Sequence, residues 1–448
     1  MHPSSGGAGK RWRGLVLAAV SAAVLTTLTG CRIGQDPPRE SSEASGSAVP
    51  DAGRSGSPAP ARETDASTGL FVYDGPPDDA PPSSGPVTTL EARVDLTAGA
   101  PGIFSSVEYA VAAPDGAVHV ALTAVNARQA PRLGTVERTD AGYAVTGSVP
   151  MTGVDDLWGM HLLADGTVAV TGSLRTADGG RAGYGAAVVD PAKGTLRTAV
   201  VEPVTGKTRF AFGRSALNPD GRTLYMFVST IVRAGWRERL VSVDLTTGEV
   251  LDERDLTSDI TEASDSPAGH EVAGMVPLPH GGVTLVLDAS PDATRPERIP
   301  TLLTYTPWLD RVGDPVRVTS LAEAAETQAV AGGIDGTTFL VVQVRDGAWV
   351  LAVPAGGGAG PVLAQLDDNS YDYALAVEPA QVWGLVPARE GARPVDLTTG
   401  EVRTPVDVGC PGRDIRGIFP GPRGVGALVI GECNAPRTRT QMLWILGS

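Results

Sequence analysis

Cysteine, histidine and lysine are scarce in this chain of 448 residues: three, five and three copies. Three cysteines exclude a disulfide-rich scaffold and a cysteine-rich zinc module. Five histidines, one of them His2 in the leader, leave little for histidine-based metal chemistry. Cations are outnumbered: 36 Lys and Arg face 51 Asp and Glu, for a net charge of −15. That balance excludes nucleic acid as a partner, because such affinity comes mainly from Lys and Arg meeting phosphates. No Gly-x-Ser-x-Gly elbow, His-Glu-x-x-His zinc motif or phosphate-cradling glycine loop occurs. Gly356-Gly357-Gly358 is followed by no Lys-Ser/Thr and reads as a hairpin loop. Aromatics are only 5% of the chain, whereas Gly (56) and Pro (36) are abundant, which suits a fold dense in turns. Hydrophobic residues, at 42%, suffice for a sizeable core.

The first 30 residues have the parts of an export signal. Lys10, Arg11 and Arg13 form a basic patch, and the apolar run Leu15 to Leu28 follows. The run is too short for the ~20 residues that cross a bilayer as a helix. A basic patch, a short apolar run and small residues match a cleaved signal. The run ends Leu28-Thr29-Gly30-Cys31, which resembles the lipobox of bacterial lipoproteins. The resemblance implies cleavage before Cys31 and a lipid on its sulfur, anchoring the protein to the outer face of the cytoplasmic membrane. Two or more acyl chains hold a protein stably where one does so only marginally. The excess of Arg over Lys fits a high-GC genome and suggests an actinobacterial lipoprotein.

Residues 31–86 form the second segment: the lipidated cysteine and a linker rich in Pro, Ser, Gly, Ala and Asp. Apart from Phe71-Val72-Tyr73 it holds few large apolar residues, so it cannot bury enough surface to offset its ordering entropy. It reads as a disordered tether with extended Pro-rich stretches.

Residues 87–448 repeat. Ala113-Pro114-Asp115-Gly116, Ala164-Asp165-Gly166, Pro219-Asp220-Gly221, His280-Gly281-Gly282 and Asp335-Gly336 each separate two short apolar runs. Weaker copies lie near 380 and 424, making seven. Asp-Gly between β-branched runs is a strong hairpin signal, because the turn needs positive φ. A second turn recurs: Val243-Asp244-Leu245-Thr246-Thr247-Gly248-Glu249-Val250 is identical to residues 395–402, and residues 189–196 are a looser copy. Two hairpins per unit give four strands, and four-stranded units at this period indicate a β-propeller. The chain is therefore expected to be all-β, a seven-bladed β-propeller preceded by a signal peptide and a disordered linker. The repeat resembles bacterial propellers of the YVTN and WD40-like type. Residues 87–94 form a strand ahead of the first unit and are expected to complete the last blade beside residues 441–446, closing the ring.

Cys410 and Cys433, in an exported domain, are expected to form a disulfide between the last two blades. Some ten residues before each turn, where the inner strand starts at the channel mouth, stand Asp156, Glu271, Glu326, Asp372 and Asp414. Converging carboxylates of this kind could hold a hard cation such as Ca²⁺; otherwise they are a solvated acidic rim. His270, beside Glu271, is the one histidine placed for acid–base work there. His119 and His161 read as packed between strands, and His280 as a turn residue. Asp368, Ser370 and Asp372 alternate as cation ligands would, but lack the Gly and terminal Glu of an EF-hand loop. Trp236 and Trp308 fall in inter-strand loops, as contact platforms if exposed and as packing if not. Two functions follow as expectations. One is a membrane-anchored binding, scaffold or sensor module for an envelope protein or small ligand. The other is an extracytoplasmic enzyme of lactonase, lyase or hydrolase type using a channel-bound divalent metal.

Overall fold

The computed structural model describes residues 85–97 and 104–448. Within the latter it leaves out 125–128, 177–178, 204–209, 233–234, 265–269, 291–297, 319, 322–324, 346, 356, 358–359, 367–373, 379, 389–390, 411–413, 422–425 and 436–437. Cys31, the leader, the linker up to residue 84, Asp368, Ser370 and Asp372 lie outside the described residues.

Seven antiparallel sheets of four strands each follow one another along the chain, forming the seven-bladed propeller. Blades 1 to 6 are residues 104–150, 154–203, 210–255, 270–317, 326–366 and 376–407. Blade 7 takes three strands from 414–447 and its fourth from Thr89–Asp95, which pairs antiparallel with Thr438–Gly447. Closure by the N-terminal strand is as the sequence suggests. The first strand of each blade is innermost, since these strands contact one another around the ring. Among the described residues the one named helix is Thr257–Ala263, between blades 3 and 4.

The tight turn after each inner strand has a common chemistry. In blade 1 the Gly116 N–H donates to the Ala113 carbonyl (3.0 Å), and the Ala113 N–H to the Ala117 carbonyl (2.8 Å). Asp115 Oδ1 accepts the Ala117 N–H at 2.9 Å, holding the far side of the turn. Gly116 has φ +96°, a conformation that a Cβ makes costly. Asp165, Asp220 and Asp335 accept in the same way from Thr167, Arg222 and Thr337. In blade 6 the left-handed position falls to Gln381, φ +60°, which is why that copy is hard to see in the sequence. The two identical octapeptides make identical bonds: Asp244 Oδ1 accepts from Thr246 N–H (2.6 Å), and Asp396 Oδ1 from Thr398 N–H (2.8 Å). The Thr398 hydroxyl and the Thr399 amide hold the Asp396 carboxyl down to about 2.

The core lies between blades. Leu224, Met226 and Val228 of blade 3 pack on Ala186 and Val188 of blade 2. Tyr225 and Phe227, alternating with them, pack on Val283, Leu285 and Leu287 of blade 4. A strand with both faces buried needs a neighbour on each side, and a closed ring supplies two to every blade. Cys410, after the last strand of blade 6, is bonded to Cys433 in blade 7, as expected. Polar ties supplement the packing: Asp288 Oδ1 and Oδ2 accept the Thr327 hydroxyl (2.6 Å) and N–H (2.7 Å) between blades 4 and 5.

Candidate functional site: the channel wall and its turn-end cavity

Five of the seven inner strands carry a β-bulge at the same level. The cross-strand register skips one residue at Glu108 in blade 1, Trp158 in blade 2, Ala273 in blade 4, Gln328 in blade 5 and Arg416 in blade 7. A bulge leaves one residue without a cross-strand partner and re-aims its side chain. Each bulged residue stands eight positions before the turn residue of its unit. In blade 2 the bulge needs Gly172 opposite it, since a Cβ there would lie 1.7 Å from the Asp156 carbonyl oxygen.

Of the bulged residues, Glu108 and Arg416 meet each other between blades 1 and 7, while Trp158 and Ala273 pack against inter-blade cores. Arg416 bonds Glu432 (2.5 Å) and approaches Glu108 of blade 1 (3.9 Å). Glu108 also accepts a bond from the Ser106 hydroxyl. Trp158 stacks on Tyr184 with ring centroids 5.2 Å apart, and its other side lies against Gly213, where a Cβ would meet it at 2.4 Å. Trp158 is therefore packing between blades 2 and 3. Blade 3 shows no bulge in its inner strand; there Arg214, seven positions before the turn residue Gly221, lies against the bulged Ala273 of blade 4. Its Nε donates to the Ala273 carbonyl and its Nη1 to the Gly213 carbonyl, both at 3.3 Å. Burial pushes the Tyr109 phenol of blade 1 up to about 12; Arg214 opposes that rise, while Glu108 and Asp156 add to it.

Of the carboxylates singled out in the sequence, Asp156, Glu271, Glu326 and Asp414 lie near the starts of inner strands, each in its own surroundings, and Asp372 lies outside the described residues. Asp156 is exposed and bonds the Leu157 N–H (3.0 Å). Glu271 pairs with Arg298 at 2.7 Å. Glu326 and Asp414 are exposed. Glu271 and Glu326 both act on buried Asp288, whose pKa is raised to about 6, first by burial and then by these two charges, against the two Thr327 bonds. Among the described residues no three His, Cys, Asp or Glu side chains stand close enough to hold a metal ion. Asp156, Glu271, Glu326 and Asp414 therefore form no cation cluster by themselves.

His270 turns away from Glu271. Its Nε2 lies 2.9 Å from both oxygens of Glu238 in blade 3, and both side chains are buried. The pair ties blade 3 to blade 4. His119 is buried and meets Thr135 Oγ1 at 3.3 Å, with its pKa lowered, chiefly by burial. Trp236 and Trp308 are exposed, at 54% and 64%.

The opposite, turn end of the inner strands opens into a cavity of about 490 Å³. Its wall comes from blades 1, 2, 3 and 7, with Val111, Met160, Leu162, Leu217 and Phe419 prominent and His161 its one titratable side chain. His161 Nε2 bonds Ser215 Oγ at 2.8 Å, and Thr171 Oγ1 lies 3.0 Å from the same oxygen. Burial lowers the His161 pKa to about 4, so the ring is neutral at physiological pH.

The bulge level and this cavity were missed in the sequence. The carboxylates legible in the sequence stand some ten positions before their turns, and the bulge level is eight before. The residues Glu108, Trp158, Gln328 and Arg416, at a constant offset from four turns, are the signal that could have found it.

No protein-family model matches the chain, and no curated protein matches it. Solved structures do. A puromycin hydrolase superposes with TM-score 0.51 at 16% identity, over 81% of this chain and 55% of that one. An oligogalacturonate lyase in complex with manganese superposes with TM-score 0.50 at 12% identity, over 77% of this chain and 90% of that one. The chain thus spans about half the length of the puromycin hydrolase. These likenesses show the propeller fold.

Proposed function

We propose that the protein is an exported lipoprotein, anchored through Cys31 to the outer face of the cytoplasmic membrane, whose propeller is a ligand-binding module. The reading rests on the turn-end cavity. It is open, mostly apolar, and formed by four different blades, with one neutral histidine as its polar group. Concave, largely apolar sites with few placed polar groups suit small molecules or a protruding side chain of a protein partner. The lipobox-like Leu28-Thr29-Gly30-Cys31 and the polar segment that follows support placing this module at a membrane surface on a tether.

Two tests apply. Cells fed an alkyne-tagged palmitate should label the wild-type protein, and Cys31→Ala should abolish the label; an equally labelled variant would refute the anchor. Indole, a neutral apolar probe, should give saturation-transfer signals with the wild-type protein. These should vanish in Leu162→Trp, which fills the cavity. Indole signals that are absent from the wild type, or undiminished in the variant, would refute the binding reading.

A further inference from the structure

We infer that Arg214 is the anchor for an oxyanion, a carboxylate or phosphate group of a ligand held in the channel. The inference goes beyond the turn-end cavity, which Arg214 does not line, and adds an anion site in the channel to the binding-module reading on which it rests.

Arg214 lies on the innermost strand of blade 3 and is exposed. It shares the channel with residues of other blades: its Nε reaches the bulged Ala273 of blade 4, and its charge acts on Tyr109 of blade 1. A guanidinium has five N–H bonds. Two are engaged by carbonyls at 3.3 Å, and the other three have no acceptor among the described residues. No carboxylate among the described residues stands within ion-pair distance of it. Arg416 of blade 7 is neutralised by Glu432 and Glu108. The two carbonyl bonds hold the fork in place and leave donors open. A planar fork with open donors suits carboxylate and phosphate oxygens, which it can bind through two parallel hydrogen bonds. Asp156, exposed on the next inner strand and without an ion pair among the described residues, limits the affinity by repulsion and selects against anions lacking a matching donor.

The test is a calorimetric titration of the full chain, in parallel with succinate and with inorganic phosphate. The wild type should bind one of them. The tighter of the two identifies the headgroup as carboxylate or phosphate. Arg214→Gln should weaken binding about tenfold or more, as expected for the loss of a bidentate charged contact. Asp156→Asn should tighten it roughly threefold by removing a like charge. The opposite signs separate an anion site from a general loss of structure. Thermal melting of each variant checks folding. If Arg214→Gln does not fold, Asp156→Asn decides: unchanged or weaker binding overturns the inference. Equal binding by wild type and a folded Arg214→Gln also overturns it, as does no binding of either anion by the wild type up to about 10 mM. Indole titrated into the same preparation separates the two readings. Indole bound with neither anion bound removes Arg214 from the account alone, whereas failure of indole as well removes the binding module.

Discussion

Removing the N-terminal strand of blade 7 should unfold the propeller, whereas removing everything before it should change little. The comparison is between chains starting at residue 85 and at residue 97. The segment between them holds six cross-strand pairs with Thr438–Gly447, from Thr89↔Gly447 to Asp95↔Met442. It also carries three buried side chains: Val87, 5% exposed, and Val94 and Leu96, each 4%. Val87 packs in the cluster shared with blade 6, and Val94 and Leu96 in the one shared with blade 1. The strand therefore seals both faces of the last blade. Burial of three such side chains stabilises by about 5 to 9 kcal/mol. Domains are stable by only about 5 to 15 kcal/mol in total, so the shorter chain should lose most or all of its stability. Circular dichroism and urea unfolding of both chains, made without the leader, provide the assay. Equal urea midpoints for the 85–448 and 97–448 chains would refute closure by this strand as the element that completes the ring.

The disulfide spans 23 residues of sequence. In the chain-entropy model its loss costs about 3 kcal/mol. Cys410→Ala/Cys433→Ala should melt about 4 °C lower by calorimetry, and an unchanged Tm would show that the link constrains nothing. Ca²⁺ should not raise the Tm of the full chain after chelator treatment, because the described carboxylates at the inner-strand starts do not converge; a saturable rise with Ca²⁺ would restore a metal site. His161 and Asp288 should oppose each other in pH dependence. His161, with its pKa lowered to about 4, contributes stability present above pH ~6.5 and lost as pH falls toward 4, worth about 3 kcal/mol. Asp288, with its pKa raised to about 6, contributes stability present below its unfolded pKa of ~3.9 and lost as pH rises through about 6, of similar size. Relative to wild type, His161→Gln should therefore gain slope toward lower stability with rising pH between 4 and 6, and Asp288→Asn the reverse. Parallel urea-midpoint profiles for the three proteins would refute the assignment.

The ring was legible in the sequence because its turns are local. Pro-Asp-Gly sets a φ, supplies an acceptor two residues on and provides the left-handed position, all within four residues. Five turns show at least its Gly, and the count of seven follows from spacing. The duplicated octapeptide betrays the second hairpin for the same reason: Asp396 and Asp244 each find their partners within three residues. Cross-blade partners were not legible. His270 reads as the neighbour of Glu271, but a strand sends consecutive side chains to opposite faces. Its partner is Glu238, 32 residues away on another blade. Gln441, which accepts the Val107 N–H, is 334 residues from it.

The bulges explain why their level does not show in a strand pattern. A strand pattern read at period two assigns every second residue to one neighbouring blade. One inserted residue breaks that period: Val107 and Ala110, three positions apart, share one core, and Glu108 between them has no cross-strand partner. What the insertion changes is the one residue freed from that alternation. In blades 1, 5 and 7 it is Glu108, Gln328 and Arg416, long polar side chains that an inter-blade core could not take without partners. Blade 3 has no bulge in its inner strand, and there Arg214 is hydrogen-bonded to backbone carbonyls and without an ion pair among the described residues. Arg214 takes no part in neutralising a described neighbour. A bound oxyanion is the occupant proposed above to give that charge a partner.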